Sequence, residues 1–199
     1  MSNIPEKHLR SFPKEIINEM PLFRYEGELE LVTTEDAMHR AVESLAQEAV
    51  LGFDTETRPS FRKGVKYPPA LLQLAGTARV YVFQFAHCPF SPELADLLAD
   101  KNIVKSGVAV RDDIKDLRSI INFTAGNFID IGEVSKKLSM KTHGLRNLAA
   151  NLLGVRISKG VRCSNWAHPQ LTEQQIAYAA TDAYVSRELY IKLQELGAF

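Results

Sequence analysis

Apolar positions along this chain recur with two different periods, and the switches between them mark the elements. From Glu28 to Thr33 polar and apolar residues alternate, the pattern of a half-buried strand. Thr33, followed three residues later by Asp36, resembles a helix start, and AMHRAVESLAQ continues at helical spacing. Three β-rich apolar runs come next: AVLGFDTE (49–56), ALLQLAG (70–76) and RVYVFQF (79–85). The GTA at the junction of the last two predicts a hairpin. Pro92 to Asp100 reads as a helix, IVKSGVAV (103–110) as a buried strand, DDIKDLRSI (112–120) as a helix and NFIDIG (127–132) as a short strand. From about Glu133 the pattern is helical, with breaks at Gly144, Gly154 and Gly160. Ahead of the first strand, Pro5, Pro13 and Pro21 punctuate an arm with room for a short helix. Strands first, then strands alternating with helices, then helices alone predict an α/β domain with a mixed sheet. No repeat or linker-like shift divides it, so one domain is expected over residues 26–199, behind an N-terminal arm of residues 1–25.

Composition narrows the class. The 199 residues are 45% apolar, enough for a core and too apolar for a disordered chain. There is no run of 18 apolar residues and no apolar leader at the Pro-broken N-terminus, so neither a membrane span nor a secretory signal is expected. Cys88 and Cys163 match neither a disulfide framework nor a metal spacing, which suits a reducing cytoplasm. His8, His39, His87, His143 and His168 are scattered and read as surface or structural groups.

Net charge is zero, from 24 Lys+Arg and 24 Asp+Glu, but the sum hides a division. Between Val134 and Thr172 there is no acid, while Lys136, Lys137, Lys141, Arg146, Arg156, Lys159 and Arg162 contribute +7, so the rest of the chain carries −7. Such a window is either a solvated face or a track for phosphates. A second cluster, Arg58, Arg62, Lys63 and Lys66, interleaves with Phe61 and Tyr67. Bases can stack on the rings while the cations hold the backbone, and an ordinary surface loop has the same composition.

The acids sit in the apolar elements. Asp54 and Glu56 interrupt a strand at i, i+2, which puts both side chains on one sheet face. They either leave the sheet into solvent or meet a counter-charge. In EQQIAYAATDAYVSRELY, Tyr178 and Asp182 are four apart and share a helical face, among Ala177, Ala179, Ala180 and Ala183. If that face meets the strand, three anions come together with no base in either segment to neutralise them, and oxygen-rich sites of this kind suit Mg²⁺ or Mn²⁺. Asp112 and Asp113 follow at a strand-to-helix turn, where one can cap the helix and the other can reach the carboxyl end of the sheet.

Together these residues resemble the DEDD superfamily of 3′–5′ exonucleases. FDTE resembles the first motif, SGVAVRDD the second, and YAATDAY the third in its Tyr-x-x-x-Asp form. The segment GVRCSNW…LTEQQIAYAATDAY is similar to Werner-syndrome-type and RNase D-like exonucleases, and the likeness runs from about Ala49 to Leu196. The resemblance implies a ribonuclease H-like fold, with a mixed five- to six-stranded sheet flanked by helices. It implies that Asp54, Glu56 and Asp182 hold one divalent cation, that Asp54 is shared with a second, and that Asp113, six residues after Gly107, is the second-motif ligand. Asp112 is then left to cap the helix. Tyr178 would orient the attacking water, and Ser164-Asn165-Trp166 would be structural or substrate-adjacent. The implied activity is release of nucleoside 5′-monophosphates from a nucleic-acid 3′ end, with the basic stretch 136–162, Lys159 and Arg162 foremost, and the Arg58–Lys66 cations holding the strand. The flanks, and the lack of a helical domain after Phe199, tip the expectation toward DNA. The alternatives are RNase D-like RNA trimming and a non-catalytic binding module on the same fold. Serine-hydrolase and nucleotide-loop chemistry lack their GxSxG and GxxxxGK[ST] motifs.

Overall fold

The structure, a computed structural model, describes residues 4–199; residues 1–3 of the expected arm lie outside it. Among the described residues eight strands run in chain order: β1 (Leu22–Phe23), β2 (Glu28–Val32), β3 (Val50–Thr57), β4 (Pro69–Ala75), β5 (Arg79–Gln84), β6 (Val104–Gly107), β7 (Phe128–Asp130) and β8 (Arg156–Ile157). The helices are α1 (Glu6–Leu9), α2 (Lys14–Glu19), α3 (Glu35–Leu45), α4 (Pro92–Ala99), α5 (Val110–Ile120), α6 (Ile131–Lys137), α7 (Leu145–Leu148) and α8 (Glu173–Glu195), with a π-helical turn at Ala149–Leu153. Six strands form one sheet in the order β2-β5-β4-β3-β6-β7, parallel except for β4. The β4–β5 hairpin closes where expected, with Gly76 N–H donating to Arg79 O at 2.9 Å.

One face of the sheet carries α3, α4 and α5 over Leu51, Phe53, Leu72, Leu74 and Phe83. The other carries α8. A capping box starts this helix: Thr172 accepts from Gln175 N–H while the Gln175 side chain accepts from Thr172 N–H. Its Ala179, Ala180, Ala183, Leu189 and Leu193 are fully buried, and each buried Leu contributes about 1.5–3 kcal/mol. Close packing is permitted by Gly52 of β3, where an added Cβ would lie 1.9 Å from the Ala183 carbonyl oxygen. The helix thus rests on the strand backbone two residues before Asp54.

Five local expectations are corrected. Thr34, not Thr33, caps α3, accepting from Ala37 N–H at 3.3 Å. The strand at 103–110 ends at Gly107, because Ala109 takes a left-handed conformation (φ 61°) and α5 begins at Val110. Asp112 therefore lies inside the first turn and does not cap it; the Ala109 N–H donates to Asp130 Oδ1 at 3.1 Å instead. The same Asp130 oxygen caps α6, which ends β7 two residues early. Finally, the region read as wholly helical contains β8, which pairs in parallel with β1 of the N-terminal arm. The arm itself carries two short helices. No helix among the described residues is long and apolar enough to cross a membrane.

Candidate active site

β3 and α8 bring the acids together. Asp54 and Glu56 leave β3 on the face that α8 covers, and Asp182 projects from α8 one residue before the carbonyl seated on Gly52. One carboxylate oxygen from each of Asp54, Glu56 and Asp182 lies within 4.8 Å of the other two. Asp113 stands at the rim, at the start of α5, where its Oδ1 accepts from the Thr55 hydroxyl. It lies outside the tight trio, but its charge is felt by both Asp54 and Glu56.

The electrostatics follow from crowding of like charges in a partly buried seam. Burial, then Asp182, Glu56 and Asp113, raise the Asp54 pKa well above the carboxylate range. Burial, then Asp182 and Asp113, push Glu56 up to about 9, against a smaller pull from Arg162. Burial raises Asp182 to about 7, opposed by the Tyr178 hydroxyl, Arg146 and Arg162. Asp113 is raised by burial, with Thr55 opposing. None of the four acids forms an ion pair among the described residues. A carboxylate group that is convergent, unpaired and at least half-buried, with Asp182 fully so, offers only oxygen donors and fits a divalent cation.

Tyr178 sits one helical turn before Asp182. Its phenol is pushed upward, first by burial and then by Asp182, so it stays protonated at neutral pH. The fully buried Trp166 sets its ring, at 5.9 Å between centroids, and Trp166 Nε1 donates to Arg162 O at 3.2 Å. Ser164 Oγ accepts from Gln175 Nε2 at 3.0 Å, so Ser164 and Trp166 brace the start of α8.

A cleft of about 480 Å³ opens beside the carboxylates. Lys159 and Arg162 line it, as do Arg146 and Asn147 of α7. Arg146 falls within the basic stretch expected to hold the strand, but helical spacing cannot say which face of a four-residue helix meets a cleft. An apolar cavity of about 420 Å³ lies on the other side of Tyr178 and Asp182, walled by Phe23, Val161 and Ala177. The Arg58–Lys66 cluster does not enter the cleft. Arg58 stacks on Tyr67 at 4.9 Å beside a separate apolar groove, while Arg62, Lys63 and Lys66 are exposed on the loop after β3 with Phe61. The histidines have structural partners: His8 with Asn151, His39 with Glu93, His87 with Pro169 O, His143 with Ser135 and His168 with Gln170. Cys88 and Cys163 are free thiols.

Comparison with known proteins places the chain in a family. Residues 29–198 match the family described as 3′-5′ exonuclease. The chain is 34% identical over 154 residues to the bifunctional 3′-5′ exonuclease/ATP-dependent helicase WRN of Mus musculus, covering 74% of this chain and 11% of that protein. It is 32% identical over 168 residues to ribonuclease D of Gluconacetobacter diazotrophicus, covering 83% of this chain and 42% of that protein. The chain thus spans less than half the length of either relative. Among solved structures, the Nibbler EXO domain of Aedes aegypti superposes with a TM-score of 0.78 at 22% identity, over 86% of this chain and 89% of that one. That likeness concerns the fold alone, a ribonuclease H-like mixed sheet flanked by helices. With the family match spanning nearly the whole sheet and α8, the chain belongs to the 3′-5′ exonuclease family.

Proposed function

We propose that this chain hydrolyses phosphodiester bonds at the 3′ end of a nucleic-acid strand, releasing nucleoside 5′-monophosphates. The observation that carries the reading is the convergence of Asp54, Glu56 and Asp182 within 4.8 Å, with the Tyr178 hydroxyl alongside. In this reading Asp54, Glu56 and Asp182 hold one divalent cation, Mg²⁺ or Mn²⁺, and Asp54 with Asp113 holds a second. Ions bound there would activate a water for in-line attack and stabilise the leaving 3′-oxygen. The residues do the rest. Tyr178, kept neutral by its surroundings, accepts and donates hydrogen bonds to orient the water but is a poor base. Arg146, Lys159 and Arg162 face the cleft and offset the charge of the scissile phosphate. The apolar cavity beside Phe23 and Val161 suits the terminal base and sugar.

DNA is the first reading, supported by a likeness to DNA polymerase I of Aquifex aeolicus, 28% identical over 169 residues. Trimming of RNA is the second reading, supported by the ribonuclease D relative at 32% identity. The test is a degradation ladder on matched 5′-labelled DNA and RNA, single-stranded and 3′-recessed, with Mg²⁺, with Mn²⁺ and with EDTA. One-nucleotide steps from the 3′ end that need metal, and that vanish in Asp54→Asn, are expected. Metal-independent cleavage, or full activity in Asp54→Asn, would refute the assignment.

A further inference from the structure

The cleft does not end at the carboxylates. Arg146, Asn147 and Lys159, which line it, also line a second cavity of about 240 Å³ against the N-terminal arm. Lys14 and Asn18 of α2 and Arg156 of β8 close that space from the other side. Four cations therefore face one small volume with no acidic side chain in its lining. Among the described residues none of the four forms an ion pair. Like charges gathered in a concave space repel one another and concentrate a positive potential there.

Both arginines are fixed by backbone. Arg146 Nε donates to Ile157 O at 3.0 Å, and Arg156 Nε donates to Met20 O at 2.9 Å. Each guanidinium is thus anchored through one nitrogen, and among the described residues its terminal Nη groups have no hydrogen-bond partner in the chain. A planar fork held in this way offers donors at the spacing of two phosphate oxygens, with little side-chain entropy left to lose. The wall opposite is fixed too. Arg156 N–H donates to Pro21 O at 3.0 Å, and β1 pairs with β8 through Leu22↔Arg156 and Phe23↔Ile157. Further along the arm, Asn151 Nδ2 donates to His8 O at 3.1 Å and to Arg10 O at 2.8 Å.

We propose that this cavity is the track for the sugar-phosphate backbone upstream of the 3′ terminus, with the N-terminal arm as one wall. Arg146 spans the two chambers, and Arg156 and Lys14 receive the phosphates beyond the cleft. The occupant is single-stranded nucleic acid, because a space of this size admits one backbone and not a duplex. The inference rests on the exonuclease reading, which puts the 3′ end at the carboxylates.

The test compares a dinucleotide, too short to reach the cavity, with an octanucleotide. In Lys14→Glu and Arg156→Gln, the ratio of octamer to dinucleotide kcat/KM should fall at least fivefold, with Arg156→Lys intermediate because it keeps the charge and loses the fork. Fluorescence anisotropy of a labelled octamer in EDTA should show a salt slope shallower by roughly 0.7 for each phosphate that is no longer neutralised. An unchanged ratio with an unchanged slope would overturn the track. Equal proportional losses on dinucleotide and octamer would overturn it as well, since the residues would then be acting through the fold. Failure of the exonuclease reading looks different: the wild type cleaves neither substrate, while the anisotropy slopes still report whether these residues hold the strand.

Discussion

Gly52→Ala tests how tightly the fold and the carboxylate cluster are joined. The added methyl would lie 1.9 Å from the Ala183 carbonyl oxygen, whereas ordinary contact begins near 3.4 Å. Helix α8 must therefore retreat by about 1.5 Å, the difference between those distances. The obstructing atom belongs to the backbone, so no rotamer change relieves it. Asp182 precedes Ala183 and moves with it, away from Asp54 and Glu56, which stay on the strand. Overpacking of this kind costs about 1–3 kcal/mol. In a domain of this size each kcal/mol lowers Tm by about 2–4 °C, so a drop of about 2–12 °C is expected. A misplacement of about 1 Å in a catalytic constellation can cost about 100-fold in rate, so kcat/KM should fall by at least that much. Melts by circular dichroism and a timed digestion of a labelled strand measure the two effects. Gly144→Ala, where the added Cβ meets nothing within 4 Å, supplies the stability control. The reasoning fails if Gly52→Ala melts like the wild type, and the coupling of seat to site fails if it melts early yet digests at full rate.

The raised carboxylates set a pH dependence. Glu56, pushed up to about 9, holds a proton in the folded, metal-free protein that the unfolded chain releases near 4.5. Stability in EDTA therefore declines as pH rises from about 4.5 to about 9, by at most about 1.4 kcal/mol per pH unit for each proton retained. Glu56→Gln removes that loss while abolishing digestion. In EDTA it should melt above the wild type, with a ceiling of about 3 kcal/mol at pH 7 and a gap that widens from pH 5.5 to 8.5; a gap that narrows would contradict the sign. Tyr178→Phe should lower kcat about 100-fold, as misplacing the attacking water by about 1 Å does, with Mg²⁺ affinity at pH 8 within about threefold of wild type by calorimetry. Loss of metal binding in that variant would show that the phenol sustains the cluster and does not orient water.

The carboxylates were legible because their periods are rigid. A strand puts residues i and i+2 on one face, and a helix returns residue i+4 to the same side, so Asp54, Glu56, Tyr178 and Asp182 could be paired without knowing the sheet. What escaped depended on contacts that leave no local period. Alanine carries no signal for the left-handed turn at Ala109, which is supported by Asp130, 21 residues away. A two-residue strand such as β8 has no alternation to read, and its partner Leu22 lies far away in the chain. Arg146 and Arg156 could be counted as charge, but their orientation comes from the carbonyls of Ile157 and Met20.

Those carbonyls also bear on the proposed function, in which a chain of zero net charge would draw a polyanion to a cluster of acids. A phosphate approaching Asp54, Glu56 and Asp182 is repelled unless cations lie along its route. A flexible lysine or arginine placed that close would be expected to swing onto the carboxylates and form an ion pair. Here Arg146 is tied by its Nε to the Ile157 carbonyl, from where it pulls the Asp182 pKa down without forming an ion pair among the described residues. Opposite charges can then coexist in one cleft without cancelling. The acids remain available to metal and the cations to phosphate, a division that net charge cannot report and that depends on the backbone holding the side chains apart.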